Sequence, residues 1–165
     1  MIGAAAMAVH GVSRSTRDVD LFTLAQECLE VGFWTPLRAA SVDARVRKGD
    51  ADDPLAGVVR ITASDEHPLD VMVGKSPWQA GVLAGARETL IERVLVPVAS
   101  RVDLILLKLY AGGPQDAWDI QQLLAAPEGQ LTAQVDAAVR ALPPDGRRLW
   151  ARIRDAGTAD APSGC

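Results

Sequence analysis

The sequence predicts an α+β protein: a small mixed β-sheet with flanking helices, followed by a C-terminal helical region. Three observations predict it. Short apolar segments that alternate with polar residues or are rich in β-branched side chains lie before residue 98. Longer segments with helix caps and punctuating prolines lie after it. Strand-bearing residues first and helices second is the α+β order. The third observation is length: 165 residues suit one main core with at most a small appendage. The expected division is a sheet-bearing core over residues 1–98, a helical region over 99–156 and a frayed tail over 157–165.

The elements follow in chain order. Residues 4–9, an alanine-rich run between Gly3 and Gly11, predict a helix that begins almost at the first residue. Asp18-Val19-Asp20-Leu21-Phe22 alternates acidic and apolar residues with the period of a strand, so the two aspartates share a face. Residues 24–31 predict a helix ending at Gly32, and the charge-rich stretch 43–53 predicts an outward loop. Residues 57–62 and 69–73 predict two strands joined by a turn at Asp65-Glu66-His67-Pro68. A short helix over 77–86 and brief strands over 89–91 and 94–96 come next. Ser100, with Asp103 three residues on, predicts the start of a helix that runs to about Ala111. Gly112-Gly113 interrupts it, Pro114 suits the first turn of another helix, and Pro143-Pro144 separates two further helical segments.

Composition excludes several classes of function. With 48% hydrophobic and 23% charged residues the chain folds rather than staying disordered. Its 17 basic against 21 acidic residues, a net charge of −4, argue against coating nucleic acid through bulk charge. Cys28 and Cys165 cannot build a metal cluster by themselves, and so few cysteines fit a reducing compartment. The apolar stretch 104–107 stops at Lys108, far short of the ~20 residues of a membrane helix. The first nine residues lack the basic n-region of a secretory signal. The expectation is a cytoplasmic protein with no membrane partner.

The chemistry-bearing residues are carboxylates. Asp18 and Asp20, two apart on a strand, have Cα atoms roughly 6.6 Å apart on one face, and Asp70 interrupts an otherwise apolar strand. Three neighbouring carboxylates repel one another unless a cation neutralises them, and hard oxygen ligands favour Mg²⁺ or Mn²⁺. The plainer reading stands beside it: Asp18 and Asp20 on a solvent-facing edge strand, Asp70 capping a turn. Asp116 and Asp119 share a helix face, as site residues or as first-turn acids favoured by the helix dipole. Lys108 lies in an apolar helix, where snorkelling is the alternative to a role with phosphate, and a methionine there would preserve the stem's volume. His10 and His67 suit a helix end and a turn. Cys28 and the four tryptophans suit packing.

Gly3-Ala4, thirteen intervening residues, Asp18-Val19-Asp20 and a lone acid in a later strand resemble the signature of the nucleotidyltransferase superfamily typified by DNA polymerase β. The order of Gly3, His10-Gly11-Val12, Arg14, Thr16-Arg17-Asp18-Val19-Asp20, and then Lys108-Leu109-Tyr110-Ala111 and Asp116-Ala117-Trp118-Asp119, over residues 2–124, is similar to small bacterial nucleotidyltransferases related to AbiE-type toxins. Ala4 stands where the family has a second Gly or Ser, and Gly113 where many members carry a basic residue.

The resemblance implies a nucleotidyltransferase core with Asp18, Asp20 and Asp70 as metal ligands and catalytic acids, and Mg²⁺ or Mn²⁺ as cofactor. It implies an NTP, ATP among them, as donor, with Gly3, Ala4, Arg14, Thr16, Lys108, Asp116 and Asp119 at the nucleotide. The expected activity is transfer of NMP to a hydroxyl of RNA (tRNA among the candidates) or protein, as a toxin with a cognate antitoxin. The alternatives are a non-catalytic member that binds a nucleotide or partner, and a small-molecule adenylyltransferase of the aminoglycoside type. Only Met1-Ile2 precede Gly3, whereas a central strand usually runs about 5 to 6 residues; the expectation is that the chain's start is internal.

Overall fold

A computed structural model describes residues 1–13, 15, 16, 18–64, 66–125 and 130–159. The architecture is α+β, with a mixed sheet flanked by helices and a C-terminal helical region. Residues 1–100 form one compact unit, and the chain from Arg101 onward forms a second.

The first unit opens with α1 (Gly3–Val9), whose Ala4, Ala6 and Met7 are buried. Strand β1 (Val19–Thr23) follows. Where sequence periodicity predicts one helix over residues 24–31, the chain makes two single-turn 3₁₀ helices, Gln26–Leu29 and Val31–Trp34. Glu30 between them is extended and ends the first while opening the second. So short a segment gains little from helix propensity, and its conformation is set by burying Cys28 and Leu29 on the sheet.

Pro36 sits in the first turn of α2 (Thr35–Ala39). Residues 43–48, expected in a loop, are instead β2 (Asp43–Lys48). Ala44 is fully buried while Arg45 and Arg47 face solvent, the alternation of a half-buried strand that the density of charge disguises.

Strands β3 (Gly57–Thr62) and β4 (Leu69–Val73) complete a four-stranded sheet in the order β1-β4-β3-β2. β1 runs parallel to β4, and the other two pairings are antiparallel. The connection between β3 and β4 includes Asp65, which lies outside the described residues. A 3₁₀ turn at Pro77–Gln79, with a Ser76 capping box, leads into α3 (Ala80–Ala84). The hairpin of β5 (Arg87–Ile91) and β6 (Val94–Val98) closes the unit.

One face of the large sheet is apolar. Leu21, Val71, Val59 and Val46 pair successively across it. They pack with Cys28, Leu29, Ala44 and Val73 in one core. The pleat places every second residue on the opposite face, so the apolar row dictates which charged row looks the other way.

The second unit contains α4 (Arg101–Ala111), α5 (Pro114–Ala125), α6 (Leu131–Ala138) and α7 (Pro144–Ala159). Gly112, at φ +64°, takes the left-handed conformation that ends α4, and its N–H donates to Lys108 O at 2.9 Å. Leu104, Ile105, Leu109, Ile120, Leu123 and Trp150 are among its buried apolar residues. The Trp150 indole N–H donates to Asp136 Oδ1 at 2.7 Å. Trp118, expected in packing, is 47% exposed because α5 turns Asp119 and Ile120 inward instead. Of the expected tail, residues 157–159 continue α7 and 160–165 lie outside the described residues. Among the described residues no helix is long and apolar enough to cross a membrane.

Candidate functional site

The row beside the apolar one carries charge from edge to edge. Asp20 on β1 pairs with Asp70 on β4, Asp70 with Arg60 on β3, and Arg60 with Arg45 on β2. These four side chains therefore share a face, with acids on one half and arginines on the other. Asp18 lies just before β1, two residues ahead of Asp20. Its backbone N–H donates to Thr16 Oγ1 at 3.3 Å, and the Thr16 hydroxyl donates to Asp18 O at 3.1 Å.

Arg60 organises the carboxylates. Its Nη1 donates to Asp70 Oδ2 at 3.1 Å and its Nη2 to Asp18 Oδ1 at 3.2 Å, so one guanidinium spans an acid on β4 and an acid just before β1. A planar fork with several donors suits that task better than an ammonium. The Asp70 side chain is 15% exposed, and its Oδ1 is buried with no hydrogen-bond donor. A buried carboxylate oxygen without a partner is costly and is a natural seat for a cation.

Gly3 lies against the same acids. It has φ +67°, and a Cβ there would stand 1.8 Å from Asp20 Oδ2. The missing side chain lets the Asp20 carboxylate approach the start of α1. The Ile2 N–H donates to Asp20 O at 2.9 Å, and Met1 O accepts from the Ala99 N–H at 3.0 Å. Met1 and Ile2 therefore link β1 to the residues just after β6. His10, at the end of α1, bonds through Nε2 to Ala99 O at 2.9 Å, a structural contact of the kind a helix-end histidine suggests. Ala4, in the first turn of α1, is buried. Arg14 lies outside the described residues, as does Arg17.

Oxygen ligands from Asp18, Asp20 and Asp70 on one face fit a hard divalent cation in chemistry. The orphaned Asp70 Oδ1 fits it too. As the side chains lie, no three carboxylate, imidazole or thiol groups among the described residues stand together closely enough to enclose an ion. Arg60 supplies the positive charge instead.

Lys108, Asp116 and Asp119 form a separate cluster within the helical unit. Lys108 Nζ on α4 pairs with Asp119 and, at 3.3 Å, with Asp116 Oδ1 on α5. Asp119 is 1% exposed and Lys108 12%. Asp116 Oδ2 also accepts from the Gly113 N–H at 2.8 Å, a first-turn cap. The lysine thus ties two helices together through a buried ion pair rather than snorkelling to solvent.

Arg60 is the site residue that sequence reasoning missed. Its signal was present: a lone cation on the polar phase of Gly57-Val58-Val59-Arg60-Ile61-Thr62, opposite a strand with a lone acid on the same phase.

Comparison with known proteins adds little. No protein-family model matches the sequence, and no curated protein matches it closely enough to show kinship. Among solved structures, the antibiotic-resistance factor ANT(2'')-Ia, whose solution structure shows substrate-regulated conformation dynamics, is similar at 15% identity. The alignment covers 96% of this chain and 82% of that one, with a TM-score of 0.42. A likeness of that size carries no argument about activity.

Proposed function

We propose that this chain is a member of the nucleotidyltransferase superfamily that binds a nucleoside triphosphate on the charged face of its sheet. The observation that supports it most is the side-by-side register of Asp20 and Asp70, with Gly3 against the Asp20 carboxylate. It brings Gly3, the Asp18-Val19-Asp20 segment and the lone acid Asp70, far apart in sequence, to neighbouring positions within the first unit. Asp18, Asp20 and Asp70 would hold Mg²⁺ or Mn²⁺, which when bound supplies charge neutralisation for the triphosphate and the leaving pyrophosphate.

In the catalytic form of this reading an acceptor hydroxyl oxygen bonds to the α-phosphorus, the bond from that phosphorus to pyrophosphate breaks, and Asp70 takes the hydroxyl proton. Asp20, whose carboxylate lies against Gly3, would present it to the cation from beside the start of α1. Arg60, on the same face, offers paired donors to phosphate oxygens. Gly3, Ala4, Arg14 and Thr16 are proposed at the nucleotide on the strength of the sequence resemblance. So is the role in nucleotide binding of Lys108, Asp116 and Asp119. The acceptor classes are a small-molecule hydroxyl, as on an aminoglycoside, and a hydroxyl of RNA or protein; a toxin role with an antitoxin, and a cytoplasmic location, draw on sequence alone.

A second reading, a non-catalytic nucleotide-binding member, is favoured by one observation: Arg60 already balances Asp18 and Asp70. The test separates the two. The chain is incubated with each α-labelled NTP and Mg²⁺, in parallel with aminoglycosides, total RNA and a protein lysate, and nucleotide affinity is measured by equilibrium dialysis. Label on one acceptor class, lost in Asp20→Asn, establishes transfer and its acceptor. Saturable binding with no label on any acceptor establishes the binding reading. Neither binding nor label overturns both.

A further inference from the structure

We infer that Arg60 is an internal counter-ion that competes with a divalent cation for Asp18 and Asp70. The inference rests on the proposed metal-binding reading and goes beyond it by assigning this residue a regulating role over the cation. The guanidinium engages one oxygen of each acid, at 3.1 Å to Asp70 Oδ2 and 3.2 Å to Asp18 Oδ1. The same two carboxylates would have to turn toward a shared ion. A divalent cation on these two carboxylates would be a like charge beside the guanidinium that they already hold, so binding of either weakens the other.

The competition is adjustable because of where Arg60 lies. Its side chain is 45% exposed and Asp18's is 37% exposed, so the pair opens to water at modest cost. Arg60 has somewhere to go: its partly exposed side chain can swing out into water. Asp70 Oδ1 stays buried and without a donor while Arg60 occupies Oδ2. The guanidinium thus balances the charge of Asp70 but leaves half of its coordinating capacity unused, which a cation bound on the carboxylate side would take up. Arg60 keeps the acids from repelling one another when no cation is bound and sets a threshold concentration for one that is.

The experiment is a Mn²⁺ titration of the full chain, with free Mn²⁺ read from its electron paramagnetic resonance signal and folding checked by circular dichroism. Wild type is compared with Arg60→Gln, Arg60→Lys and Asp18→Asn. Arg60→Gln is expected to bind Mn²⁺ about three- to tenfold more tightly, the scale of partly exposed ion pairs. Arg60→Lys, which keeps the charge but cannot span both acids, should fall between. Asp18→Asn should bind less than wild type. Equal or weaker Mn²⁺ binding in Arg60→Gln, with binding still dependent on Asp18, overturns the role of Arg60 and leaves the metal reading intact. No Mn²⁺ bound by wild type or by Arg60→Gln overturns both.

Discussion

Two ion clusters built from one cation and two aspartates lie in the two units, and they differ in burial. Arg60 bridges Asp18 and Asp70 on a face open to water, whereas Lys108 meets Asp119 where that carboxylate is 1% exposed. Coulomb attraction at similar separations is severalfold stronger where water is excluded, but each ion also loses far more hydration there. The open cluster is therefore exchangeable, able to trade its cation. The buried one is a fixed joint between α4 and α5, and breaking it by removing one partner strands a charge.

The largest test of that contrast is Lys108→Met. Sequence alone suggests a tolerated change of stem for stem, but the buried pair predicts a loss of about 3 to 5 kcal/mol, because the 1%-exposed Asp119 carboxylate loses the cation paired with it. Urea unfolding checks this, and adding Asp119→Leu to Lys108→Met should recover much of the loss. A Lys108→Met protein as stable as wild type would make the two clusters equivalent.

Next in size is Gly3→Ala. Left-handed backbone and a Cβ 1.8 Å from Asp20 Oδ2 predict a cost of about 2 to 4 kcal/mol. Asp20 must turn away, so nucleotide affinity should fall as well; unchanged melting and unchanged affinity would separate Gly3 from the carboxylate face.

Arg60→Gln sharpens the open side of the comparison. With one pair largely exposed and the other made to an Asp70 side chain only 15% exposed, stability without added metal should fall by about 1 to 2 kcal/mol, less than in Lys108→Met. The loss should shrink further at high salt, whereas that of Lys108→Met should change little. A larger loss that salt leaves unaltered would class Arg60 with the buried lysine.

The smallest effect concerns Asp136, a surface carboxylate that serves neither cluster. Hydrogen bonds from Trp150 and then Arg154 hold its carboxyl below the usual carboxylate range. A lowered pKa in the folded state means that the group stabilises the fold above the unfolded value near 4, and that this contribution is lost as pH falls through the folded value. Asp136→Asn should therefore destabilise the chain at pH 7 and converge with wild type as pH falls through the lowered folded value, followed by Trp fluorescence during acid titration. A gap independent of pH would mean that shape, not charge, matters there.

Much of the molecule was legible from local pattern. The alternation through Val19–Thr23, the β-branched runs at Gly57–Thr62 and Leu69–Val73, and the glycine that ends α4 each follow from the geometry of a few adjacent residues. The segments that escaped were those whose conformation is set by what they touch. Charge hid β2 because Arg45 and Arg47 look like loop residues until a neighbouring strand pairs with the segment and covers Ala44 and Val46, which alternate with them. The stretch around Cys28 could not be a full helix because the sheet beneath it accommodates only short turns that bury Cys28 and Leu29.

By itself the sequence determined the α+β order, the positions of most strands and helices, and the sharing of a face by Asp18 and Asp20, because period and punctuation act over a few residues. Only the tertiary structure decided that β4 pairs in parallel with β1, setting Asp70 beside Asp20 with Arg60 next in the row. It also decided that Lys108 is buried against Asp119. Strand order and helix packing are chosen by the burial of apolar faces summed over the whole unit. The partner of a charged residue is whatever that choice brings near, and local sequence does not record it.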